Sequence, residues 1–68
     1  MRLKVNSKAL AEAIMAKGLY QWQAAELVGI NKYTLTKMLE GDKKIQLRTA
    51  GKLRKAFGED VVYWEETP

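Results

Sequence analysis

Apolar residues recur three and four positions apart along most of the chain, and glycines interrupt the pattern where it breaks. Leu10 and Ile14 lie one turn apart with Ala11 and Met15 beside them, which predicts an amphipathic helix over residues 7–17. Asn6 precedes it as an N-cap whose side-chain oxygen can take a free backbone N–H, and Val5 with Leu10 occupies the staple positions. Lys17 and Gly18 end it, a cation at the negative helix end and then a residue at ease in the left-handed region. A second helix is predicted over residues 21–28, stopped by Gly29. A third covers residues 32–40, capped by Asn31, stapled by Ile30 and Leu35, and closed by Gly41. A fourth covers residues 47–57, with Leu47, Ala50, Leu53 and Phe57 at helical spacing and Gly58 after it. Gly51 lies inside this helix at a cost of about 0.5–1 kcal/mol relative to alanine, which a close helix crossing would explain. Residues 60–64, Asp-Val-Val-Tyr-Trp, are ambiguous. Their β-branched and aromatic side chains favour a strand, Asp60 as an N-cap favours a short helix, and the helix is the reading adopted. The pattern therefore predicts an all-α bundle of four to five short helices. Its core should gather Leu10, Ile14, Leu19, Ala25, Val28, Ile30, Leu35, Met38, Leu53 and Phe57.

At 68 residues the chain is expected to be one domain. A domain of this size buries only about 60% of its unfolded surface, which leaves little room for a deep pocket. It contains neither Cys nor His. The usual zinc sites and nucleophile–base pairs are thereby unavailable, so neither a metal nor a catalytic residue is assigned, and no cofactor is expected. No stretch approaches the roughly 20 apolar residues of a membrane span, and the first six residues have no apolar signal core. A cytoplasmic protein of a bacterial host is the expectation.

The net charge of +4 is unevenly spread. Residues 1–31 carry four cations against two anions, residues 32–55 eight against two, and residues 56–68 only the four anions Glu59, Asp60, Glu65 and Glu66. A basic block beside an acidic segment suits one face turned to a polyanion and another kept away from it.

The basic block begins inside the most informative segment, residues 21–41. Two short helices separated by Gly29, Ile30 and Asn31 meet the requirements of a helix-turn-helix. Ala25 is small where the helices cross, Gly29 tolerates a left-handed turn, and Ile30, Leu35 and Met38 are apolar anchors. At about 100° per residue, Lys32, Tyr33, Thr36 and Lys37 share one face of the second helix and Leu35, Met38 and Leu39 the other. One face packs, and the other suits a major groove about 12 Å wide. A solvated helix face would look similar, but the motif around it favours DNA contact.

Residues 19–58 resemble the Cro and phage-repressor family, the XRE type with a lambda-repressor-like fold. The matching residues are Leu19, Gln21, Ala25, Gly29, Ile30, Thr34, Leu35, Gly41, Leu47, Thr49, Leu53, Ala56, Phe57 and Gly58. The resemblance implies a helix-turn-helix at residues 21–40 in a single DNA-binding domain over residues 1–68. It implies base contacts from Lys32, Tyr33 and Lys37, with Thr36 a further candidate. It implies phosphate contacts from Gln21, Lys43 and Lys44, and Asn31 joins that set. Tyr20 departs from the family's usual Ser or Thr cap, Ala24 from a usual Leu, and Ile45 from a common Pro.

The expected activity is that of a short Cro-type transcriptional regulator of a temperate phage or mobile element, binding a double-stranded operator as a homodimer. The alternative is a Cro-like protein–protein modulator that binds a partner repressor or toxin. Its candidate interface is the acidic, aromatic segment 59–68, through Val61, Val62, Tyr63 and Trp64, together with Trp22. Trp22 is open to three placements: on the first helix, against the sugar–phosphate backbone, or in that interface.

Overall fold

The computed structural model describes residues 2–41 and 43–66. Its elements run β1 (Arg2–Val5), α1 (Ser7–Lys17), α2 (Gln21–Val28), α3 (Lys32–Glu40), α4 (Leu47–Phe57), one 3-10 turn (Glu59–Val61) and β2 (Val62–Glu65). All four helices occupy the predicted residues, because their ends are set by local chemistry. Asn6 Oδ1 accepts from Ala9 N at 3.1 Å, and Asn31 Oδ1 accepts from Thr34 N at 2.7 Å. Gly18 and Gly29 adopt left-handed φ of 68° and 87°, and each returns its N–H to a carbonyl of the last helical turn. Tyr20 offers α2 no side-chain cap; instead Gln23 Oε1 reaches back to accept the Tyr20 N–H at 2.9 Å, half of a capping box.

The fold is mostly helical, not all-α. β1 and β2 pair antiparallel, with Arg2 opposite Glu65 and Val5 opposite Val62. The chain around Lys44 lies along the other edge of β1. Lys4 bridges Lys44, Val5 N–H donates to Lys43 O, and Ile45 N–H donates to Leu3 O, both at 3.0 Å. β1 is thus flanked on both sides. The helix expected over residues 60–64 does not form. One 3-10 turn uses Asp60, and the residues after it extend against β1, whose backbone supplies partners that a lone helical turn lacks. Lys4 and Glu65 add an ion pair at 3.2 Å across the strands.

The core lies between the helices and the inner face of this small sheet. Leu10, Ile14, Ala25, Val28, Leu35, Met38 and Leu53 are buried as expected, whereas Leu19, Ile30 and Phe57 are half-buried at its margin. Val5, Ala24, Ala50, Val61 and Val62 complete it. Val61 and Val62, expected in a protein interface, are instead 1% and 9% exposed. The 3-10 turn folds them inward against α1 and α4, and Asn6 N–H ties the turn down by donating to Val61 O at 2.7 Å. Nothing lies within 4 Å of a side chain built at Gly51, so no close helix crossing explains that glycine. Among the described residues no helix is long and apolar enough to cross a membrane.

Candidate nucleic-acid interface

The local sequence of α3 divides it into two faces. Leu35 and Met38 are buried, Leu39 is half-buried, and together they seat the helix against α1 and α2. Lys32, Tyr33 and Lys37 are exposed on the outside, with Thr36 half-buried among them. Lys37 Nζ lies 5.3 Å from the centroid of the Tyr33 ring and 3.9 Å from Glu40 Oε2. Each contact is worth well under about 1 kcal/mol at an exposed site. Their consequence is positional: the lysine rests along the helix between a phenol ring and a carboxylate. Glu40, which sequence reasoning left out, therefore belongs to this surface. Its signal was present, since it follows Lys37 by three residues and Tyr33 by seven.

Gln21 joins the surface from the first turn of α2. Thr36 Oγ1 lies 3.0 Å from Lys32 O and 3.3 Å from Gln21 Oε1. A hydroxyl has one proton, so it cannot donate to both. The shorter contact takes it, and the longer is satisfied when the Gln21 carboxamide presents its NH2 group to Thr36 Oγ1. Thr36 thereby links α2 to α3 at the outer surface. Asn31 stands at the edge of the same surface with its oxygen committed to the α3 cap, which leaves its NH2 as the available donor.

Lys43 and Lys44 are both exposed, but they do not act as one loop pair. The chain is extended here, paired to β1, so successive side chains alternate between faces. Lys44 stands beside Lys4, and Lys43 lies on the opposite side.

Trp22 is 49% exposed and takes no part in the core. Of the four C-terminal interface residues, Val61 and Val62 are core, Tyr63 is half-buried and Trp64 is 56% exposed. No group of three acidic, His or Cys side chains suited to a metal occurs among the described residues. Comparison with protein-family models, with curated proteins and with solved structures finds no match to this chain.

Proposed function

We propose that the chain is a sequence-specific DNA-binding regulator in which α2 and α3 act as a helix-turn-helix and α3 enters the major groove. The observation that carries the reading is the outer face of α3. Lys32, Tyr33, Thr36 and Lys37 stand together there on a short helix anchored by Leu35 and Met38, with Gln21 bonded to Thr36 at its border. Lysine donates well to guanine O6 and N7, and a tyrosine ring offers apolar contact to a thymine methyl. Gln21 and Asn31, with whichever of Lys43 and Lys44 faces the duplex, present donors to the flanking phosphates, which position the helix without reading sequence. Two copies on a two-fold operator would place their half-sites about 34 Å apart. In this reading the protein is a binder with no catalytic step.

Binding selection from random duplex DNA, followed by anisotropy titration of the recovered sites, tests the proposal. An enriched motif bound at least about a thousandfold more tightly than random duplex is the expected result. Failure to enrich any motif would overturn it. A second reading, a modulator that docks on a partner repressor or toxin, is favoured by the exposed Trp22 and Trp64. It predicts a complex with protein that persists without DNA.

A further inference from the structure

We propose that the groove between α2 and α4 receives residues 63–66 of a second copy of this chain, with Trp64 on its apolar floor and Glu66 at its lysine rim. The groove encloses about 330 Å³ and is lined by Leu27, Val28, Lys52, Lys55 and Ala56. Leu27, on its floor, is 55% exposed. Lys52 and Lys55 lie one turn apart on α4, continuing a row begun by Arg48, and none of the three has an ion-pair partner among the described residues. An apolar floor under unpaired cations suits an aromatic side chain next to a carboxylate.

The chain carries that chemistry at the end of β2. Trp64 is 56% exposed, and Glu66 follows it by two positions, the spacing that puts two side chains on one side wherever the backbone continues extended past β2. Glu65 points the other way and is already held by Lys4. The occupant is not the same copy's segment, because Trp64 stands opposite Leu3 in the β1–β2 register. A two-fold axis makes the contact twice, once in each direction. A stable interface buries roughly 1,200 Å² in all. Each protomer would then commit about an eighth of its 4742 Å² surface. None of the groove residues belongs to α3, so the contact leaves the reading face open, and it stands or falls independently of the DNA proposal.

Sedimentation equilibrium of the full chain tests it, with circular dichroism to check that each variant keeps its helices. The native chain should form a dimer. Trp64→Ala, and separately Lys52→Glu with Lys55→Glu, should each weaken it about tenfold or more, as loss of an anchor at the centre of a contact does. Adding Glu66→Lys to the Lys52→Glu, Lys55→Glu chain should restore most of the lost association, a rescue that a merely folded-state defect does not give. Three results overturn the proposal: a native chain that stays monomeric, a dimer sensitive to Trp64 and indifferent to the lysines, or lysine variants that keep the dimer and only flatten the salt dependence of DNA binding, which would make the α4 row a phosphate contact.

Discussion

Replacing Val61 by alanine separates a core role for the C-terminal segment from an interface role. Val61 is 1% exposed and packs between α1 and α4. The change removes two methyl groups, a transfer loss of about 1.6 kcal/mol at about 0.8 kcal/mol each. A residual cavity of about 50 Å³, at about 24 cal/mol per Å³, adds about 1.2 kcal/mol. The expected destabilisation is therefore about 2–3 kcal/mol. A 68-residue domain at roughly 0.05–0.15 kcal/mol per residue holds about 3–10 kcal/mol in all. The variant should thus lose about a fifth or more of its stability, and its melting temperature should fall by about 10–20 °C. Urea titration followed by far-UV circular dichroism, run at two well-separated protein concentrations, measures this. The difference between native chain and variant should be the same at both. A loss below about 0.5 kcal/mol, the range of ordinary surface changes, would refute the packing argument. So would a loss that appears only at the higher concentration, which would return Val61 to an intermolecular contact.

Gly51→Ala should stabilise the chain by about 0.4–1 kcal/mol in the same urea titration, because the position is helical with open space around it. Lys37→Ala should lose about 1–3 kcal/mol on a selected DNA site and much less on random duplex by anisotropy; equal losses would reduce Lys37 to a phosphate contact. Because Lys43 and Lys44 stand on opposite faces, one of Lys43→Ala and Lys44→Ala should make the slope of log K against log salt shallower by about 0.9 for the phosphate neutralised, the other should leave it unchanged, and neither should alter sequence preference. Thr36→Val keeps the side-chain shape and removes the hydroxyl between Gln21 and Lys32. It should weaken binding to the selected site by about 0.5–1.5 kcal/mol while leaving the helical signal intact.

The helices of this protein are written locally. Asn6 and Asn31 each cap a helix through an N–H three residues on, and Gly18 and Gly29 each end one by turning left-handed within the same few residues. Spacing of three and four then tells which side of each helix is apolar, so the bounds of α1 to α4 and the outward set Lys32, Tyr33 and Lys37 were legible from the chain alone. Even the missed strand left a trace, since Arg2, Leu3, Lys4 and Val5 alternate polar and apolar in the period of an extended chain. What that trace lacks is a partner. The β2 residues that pair with β1 are 57 to 63 positions away, and no local rule identifies them. Residues 62–64 have side chains suited to a strand and a preceding aspartate suited to a helix, and the exposed edge of β1 decided between them. The same pairing turned Val61 and Val62 from an interface into core, and the pairing at the other edge of β1 set Lys43 and Lys44 on opposite faces. The link from Gln21 to Thr36 spans fifteen residues and likewise exists only once α2 and α3 have packed. Helix ends and faces depend on neighbours within about one turn, which sequence order supplies. Strand pairing, burial of a chain end and contacts between helices depend on which distant segments meet, and only the packed core selects those.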